Sequence, residues 1–233
     1  MSLDRPTPLM LRRLFLFQEL PEKMLADLTD SMWIQHCRHG QPLWQGASTF
    51  QEVAYFVFSG IVAFSSLTHR GNRKILFFLG PGELLNLNIM GTCDDHHFGQ
   101  AATDTMLLCM KRTDLAEKAR TSSSLSSALI AHYEQRLWRL SHQLKNNSGS
   151  CFAERKLAAK LLKLSSDFGK PCREGLAIDF DLTITQMADY IGIPRETASR
   201  ACSKLTDLGL VIYRCRRFCI PDIPRLEAFR RQP

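Results

Sequence analysis

The run Arg195-Glu196-Thr197-Ala198-Ser199-Arg200 holds the residue types that read base edges in DNA. Arginine can donate two parallel hydrogen bonds to guanine O6 and N7, and glutamate accepts one from cytosine N4. Serine and threonine hydroxyls serve bases or phosphates alike. Such side chains act together only if a helix presents them on one face. The plain alternative for the same residues is a surface helix pair with solvated charges.

The preceding residues supply the positioning elements. Thr183 to Ile191 reads as a short helix with Met187, Ala188 and Ile191 on its apolar side. Gly192 falls where the chain must turn through a left-handed conformation, which glycine adopts without steric cost. Pro194 pre-sets the start of a second helix. Two short helices joined by a tight turn form a helix-turn-helix, whose second helix enters the major groove by its N-terminal residues.

On these residues, Thr185 to Leu210 resembles the helix-turn-helix of the cyclic AMP receptor protein and fumarate-nitrate reductase regulator (CRP/FNR) family of bacterial transcription factors. Arg195-Glu196 matches the opening of the cyclic AMP branch, and Glu196-x-x-Ser199-Arg200 the reading pattern of the other. The resemblance implies DNA contacts by Thr185, Arg195, Glu196, Thr197, Ser199, Arg200 and Lys204. It also implies a homodimer on a palindromic operator in double-stranded DNA, with half-sites of the TTGA or TGTGA kind, and contact with RNA polymerase.

Composition agrees with a two-domain regulator. The chain has 233 residues, 45% of them hydrophobic and 23% charged. Its net charge of +7 is uneven: residues 148–233 hold 15 Lys/Arg against 10 Asp/Glu, and residues 1–147 hold 15 against 13. The excess lies in the half expected to meet phosphate. No apolar run reaches membrane-spanning length and no signal pattern opens the chain. Eight scattered cysteines without a secretory signal do not suggest a disulfide framework. A cytoplasmic location and no membrane partner are expected. Catalysis is not: the sequence has no phosphate-binding Gly-rich loop, no H-E-x-x-H and no G-x-S-x-G.

The fold class expected is α+β, in three parts. Residues 1–121 carry short apolar runs (Val53–Phe58, Ile61–Phe64, Lys74–Phe78) separated by turn residues, after a short helical lead-in around Leu14 to Leu28. They read as an antiparallel roll or sandwich; the resemblance makes it a β-roll, a jelly roll of the cyclic-nucleotide-binding kind that senses an effector. Residues 122–147 change period. Ile130, Tyr133, Leu137, Leu140 and Leu144 recur at three- and four-residue steps, as in a two-stranded coiled-coil seam or a core helix; the resemblance makes this the dimerisation helix. Asn146 to Ser150 breaks the pattern and reads as a hinge. Residues 148–233 open with an amphipathic helix around Glu154–Leu164. They end in a hairpin wing, Leu210–Tyr213 and Phe218–Ile220, around the basic tip Arg214-Cys215-Arg216-Arg217; with the helix-turn-helix this makes a winged helix. The tip is either solvated or in contact with phosphate.

The effector is the open question. In the cyclic-nucleotide branch a Gly-Glu-Leu cassette holds the ribose and an Arg-Ser pair the phosphate. Gly82-Glu83-Leu84 matches the first half, and Leu140 and Ser141 fall where family helices close over the ligand. The Arg-Ser positions fall near Asp95 and His96, and no Arg lies between Lys74 and Lys111. Acidic neighbours there oppose a phosphate, so cyclic AMP is not the expected effector and Glu83 reads as part of a structural turn. Without any C-x-x-C, an iron–sulfur cluster is not expected either. Cys215 and Cys219 fall on different strands of the wing and are not expected to share a metal. Haem stays open through His36, Cys37, His39, Cys93, His96 or His97. The remaining reading is a small apolar or acidic metabolite between the roll and the long helix.

Overall fold

The computed structural model describes residues 4–44, 47–69, 71–91, 97–147 and 152–231, with backbone alone at 47–49 and 142–147. The chain forms two compact units, residues 1–72 with 76–142 and residues 73–75 with 143–233.

The first unit opens with α1 (Pro8–Arg12), whose N-cap Thr7 accepts from the Met10 N–H and whose first residue is a proline. A 3₁₀ turn at Phe15–Phe17 and α2 (Glu22–Asp30) follow. Then come β1 (Met32–Cys37), α3 (Ala47–Glu52), β2 (Val53–Ser59), β3 (Val62–Leu67), β4 (Arg73–Leu79, its first three residues counted with the second unit), β5 (His97–Ala101), β6 (Thr105–Lys111), α4 (Arg112–Thr121) and the long α5 (Ser123–Asn147, its last five residues counted with the second unit). Two three-stranded sheets result, ordered β1-β6-β2 and β4-β3-β5. Strands β1, β2 and β6 pair antiparallel, as do β3 and β5.

Burial follows the two-residue period of these strands. Ala54 and Phe56 of β2 and Leu108 and Met110 of β6 join a cluster with Leu25, Leu28, Leu115, Leu125 and Leu129 of the helices. Tyr55, Val57, Leu107 and Cys109 point the other way, into a second cluster with Val62, Phe64, Phe77, Leu79 and Trp44 between the sheets. Both faces of β2 and β6 are therefore covered, which is why they read as unbroken apolar runs rather than alternating ones.

The second unit contains α6 (Ala153–Phe168), β7 (Gly169–Cys172), β8 (Gly175–Ile178), α7 (Ile184–Ile191), α8 (Arg195–Asp207), β9 (Ile212–Arg214), β10 (Arg217–Ile220) and α9 (Ile223–Arg231). Helix α6 buries Leu157, Leu161 and Leu164 at four- and three-residue steps, with Ala158 beside them, and packs on α8 and α9. The wing belongs to a four-stranded sheet ordered β7-β8-β10-β9 rather than a lone hairpin. The expected break at Asn146 is displaced: α5 continues through Asn147, and 148–151 lie outside the described residues.

Candidate functional site

Helix α7 begins with a capping box, in which the Thr183 hydroxyl accepts from the Gln186 N–H and the Gln186 side chain accepts from the Thr183 N–H. It ends at Gly192, at φ 84°, whose N–H bonds the Ala188 carbonyl. That left-handed residue sends the chain through Ile193 to Pro194, the N-cap of α8.

On α8, Ala198, Ala201, Cys202 and Leu205 are buried. Arg195, Glu196, Ser199, Arg200 and Ser203 are exposed. At 3.6 residues per turn these five span roughly 140° of the helix circumference. Two arginines, one glutamate and two serines thus share one solvent-facing surface at the helix N-terminus. Ser203 is not singled out by the sequence pattern, although it lies one turn beyond Ser199. Thr185 is exposed at the start of α7, and Thr197 is half-buried at the side of α8. Lys204 Nζ lies 3.0 Å from Glu154 Oε1 of α6. The Glu154 carboxyl titrates below its usual range, held first by its own backbone N–H and then by Lys204.

The wing tip is mostly paired. Arg214 reaches Glu174 at 3.4 Å, and Arg217 reaches Asp181 at 3.3 Å. Cys215 and Arg216 form the turn itself, both at positive φ, 49° and 63°. A two-residue hairpin with both central residues left-handed matches the twist of its strands, which explains the strained pair. The Cys219 sulfur lies 3.4 Å from that of Cys172 on β7, not beside exposed Cys215.

In the first unit, Gly82-Glu83-Leu84 forms a turn docked on β2. The Gly82 N–H bonds the Val57 carbonyl at 2.8 Å, and the Val57 N–H bonds the Glu83 carbonyl at 2.9 Å. Gly82 takes φ 90°. Leu84 is fully buried in the helix-covered cluster. The Glu83 carboxylate faces α5: Arg139 Nη1 donates to Oε1, and His132 Nε2 stands 3.9 Å from Oε2. One turn from His132, the Arg136 Nη1 donates to the carbonyls of Leu84 at 2.6 Å and Asn86 at 3.4 Å. Its guanidinium carbon sits 5.1 Å from the centre of the Phe77 ring. Burial lowers the pKa of both His132 and Arg136, opposed in each case by the Glu83 charge.

These α5 residues are easily passed over in the sequence because they are polar. Their signal is present, since 125, 129, 132 and 136 step by four, three and four along the face that carries buried Leu125 and Leu129.

The five residues of the apolar stripe divide. Tyr133 packs on the helix-covered cluster and Leu140 on the one between the sheets, both partly buried. Ile130 and Leu137 are 58% and 65% exposed, beside exposed Trp138. Ser141 is exposed, and the side chain of Leu144 lies outside the described residues.

The haem candidates among the described residues are dispersed. His36 and His39 are exposed, while Cys37 is buried on the opposite face of β1 from His36. His97 is buried against the rings of Phe50 and Phe64. Cys93, Asp94, Asp95 and His96 lie outside the described residues. Among the described residues no three His, Cys, Asp or Glu side chains gather around a common point, and no helix is long and apolar enough to cross a membrane.

Comparison with known proteins follows the same lines. Residues 155–229 match the Crp-like helix-turn-helix domain. The nitrogen fixation regulation protein FixK of Rhizobium meliloti (strain 1021) is 29% identical over 176 residues, covering 76% of this chain and 76% of that protein. The CRP-like cAMP-activated global transcriptional regulator of Mycobacterium tuberculosis (strain CDC 1551 / Oshkosh) is 23% identical over 217 residues, covering 93% of this chain and 96% of that one. The solved structure of FixK2 from Bradyrhizobium japonicum has the same fold, with a TM-score of 0.68 at 22% identity over 84% of this chain and 96% of that one. Residues 155–229 thus carry a Crp-like helix-turn-helix with its arginines outward, and the chain as a whole is similar to the FixK and CRP-like transcription regulators over most of its length.

Proposed function

We propose that the protein is a cytoplasmic, homodimeric regulator that reads a palindromic DNA site through α8 and answers to a small effector held by its roll. The observation that carries the reading is the outer face of α8. Arg195, Glu196, Ser199 and Arg200 share one exposed surface, braced from behind by buried Ala198, Ala201 and Leu205. Arg200 and Glu196 are matched to a G·C and a C·G pair in each half-site, while Arg195, Thr197, Ser199 and Thr185 contact flanking bases or phosphate. Lys204 and Arg216 add phosphate charge.

Dimerisation follows from α5, whose Ile130 and Leu137 present an apolar face to water in the single chain. A second copy would cover that face and set two recognition helices one turn of DNA apart, the spacing at which helix-turn-helix dimers dock on successive major grooves. Effector binding at the Glu83 turn would move α5 and so change the separation of the two DNA-binding units. On the operator, the dimer would meet RNA polymerase, as the family resemblance implies.

Selection from random double-stranded DNA with the purified protein, read by gel shift, tests the reading. A recovered palindrome with G·C pairs that depends on Arg200 supports it. Recovery of unrelated sequences with purely salt-controlled affinity overturns sequence recognition.

A further inference from the structure

We infer that the roll binds a small carboxylate, gripped by the Nε–Nη2 edge of Arg136 with His132 beside it. The inference rests on the reading of the roll as a sensor and names the chemistry it senses.

Three cationic or potentially cationic side chains of α5, His132, Arg136 and Arg139, converge on one carboxylate, Glu83. Arg139 occupies one oxygen of that carboxylate, and His132 faces the other. Arg136 is left without an ion pair among the described residues, although it is only 4% exposed. A guanidinium removed from water in this way is costly unless it is both hydrogen-bonded and offset by a negative charge.

The pattern of its hydrogen bonds says what is missing. Nη1 is satisfied by the Leu84 and Asn86 carbonyls. Nε and Nη2 are buried and have no hydrogen-bond partner, and His132 Nε2, 3.9 Å from Glu83 Oε2, makes no hydrogen bond either. Nε and Nη2 lie along one side of the guanidinium plane, where their N–H bonds run parallel. That edge accepts two oxygens of one planar carboxylate in a bidentate pair. The Phe77 ring lies 5.1 Å from the guanidinium carbon, and the carbonyls take Nη1, so only this edge is left to recognise a ligand. One turn away, the His132 Nε2 can donate to the same anion once the ring takes up a proton, which a bound carboxylate favours.

Sugar recognition is a poorer match. Arg139 engages one oxygen of the Glu83 carboxylate, which leaves only the other, facing His132, to accept from a ribose hydroxyl. The side chain of Arg139 is 30% exposed and is the outermost member of the cluster. Its departure from Glu83 opens the way to Arg136, and ties ligand entry to a shift of α5.

The test uses full-length protein at constant ionic strength, set with chloride. Acetate, succinate, benzoate and inorganic phosphate are each titrated calorimetrically into the unmutated protein, Arg136→Lys and Arg136→Gln. Binding of at least one carboxylate, weakened roughly tenfold or more in both variants, is the expected result, because lysine keeps the charge but loses the fork. No carboxylate binding, or equal binding to Arg136→Lys, overturns the proposal. Arg136-dependent binding of phosphate alone overturns the carboxylate assignment. If both variants fail to fold, hydrogen exchange of the unmutated protein decides: slowed exchange at 83–86 and 132–140 with the tightest-binding carboxylate is expected, and none overturns the site. Gel shifts on the same samples separate the two readings. Carboxylate binding without any DNA recognition would sink the regulator and leave the anion site standing.

Discussion

Helices α5 and α8 carry the same side chains to opposite ends. On α8 the arginines point to water, and small buried residues, Ala198 and Ala201, let the helix sit close on its own unit. On α5 the long cationic side chains turn inward, and apolar Ile130 and Leu137 point outward. Only the α5 arrangement is unfavourable for an isolated protomer. Exposed arginines on α8 await phosphates and base edges, the exposed apolar stripe of α5 awaits a partner surface, and a buried guanidinium needs an anion. A helix that departs from hydrophobic-in, charged-out placement is showing where something else binds.

The largest effect expected breaks the α5 side of this contrast. Ile130→Asp with Leu137→Asp places two charges per chain in a dry interface, at a cost of several kcal/mol each. Both positions are exposed in the protomer, so the variant should stay folded, sediment as a monomer and lose palindrome binding. A stable dimer with unchanged DNA affinity would assign the stripe to some other contact.

On the α8 side, Arg200→Ala should weaken specific binding by about 1–3 kcal/mol per half-site, the worth of a bidentate pair to guanine. Non-specific binding should change little. Equal losses on operator and random DNA, measured by competition gel shift, would make Arg200 a phosphate contact instead.

The contrast can be sharpened by disturbing the turn that aims α8. Gly192→Ala forces a Cβ into a φ of 84°, costing about 1–2 kcal/mol. Thermal unfolding should register the loss, with operator binding falling in parallel as α8 loses its orientation. An unchanged melting curve would mean that the turn relaxes freely.

The pH dependence of α5 is next in size. Burial holds the His132 pKa below its ordinary 6.5. In the window beneath that value the unfolded chain takes up a proton that the folded one does not, so stability falls as pH drops through 6.5 and levels once the folded site protonates too. His132→Gln should flatten that part of the stability–pH curve. Identical curves for the two proteins in denaturant titrations would show that the imidazole is not desolvated.

The smallest effect concerns the wing. Arg214 and Arg217 are paired to Glu174 and Asp181, which leaves Arg216 at the apex to meet phosphate. Arg216→Ala should reduce the slope of log K against log salt by about one per contacting wing. A slope that moves only for Arg214→Ala would reassign the contact.

The legible parts of this chain are those whose signals are local. Thr183, Gln186, Gly192 and Pro194 mark the ends of α7 and the start of α8 by their own conformational preferences, and the turn and both helices sit where those preferences predict them. The β7–β8 hairpin is not legible because β7 has four residues and contains Pro171, which argues against a strand. Its place at the edge of the sheet, where one side needs no ladder bond, removes that objection. Helix α9 is equally hidden: its nine residues bury only Leu226 among the described side chains, so no apolar period betrays it.

Within α5 the same limit acts on function. The sequence by itself determined a helix with a heptad-like stripe, an arginine-bearing recognition helix, and a Gly82-Glu83-Leu84 turn without its phosphate-binding partner. Only the tertiary structure decided that Tyr133 and Leu140 lean on the roll while Ile130 and Leu137 do not, and that His132, Arg136 and Arg139 surround Glu83. The physical reason is range. Caps and turns are written in the dihedral preferences of neighbouring residues, whereas a buried charge is defined by what a segment about 50 residues away brings against it.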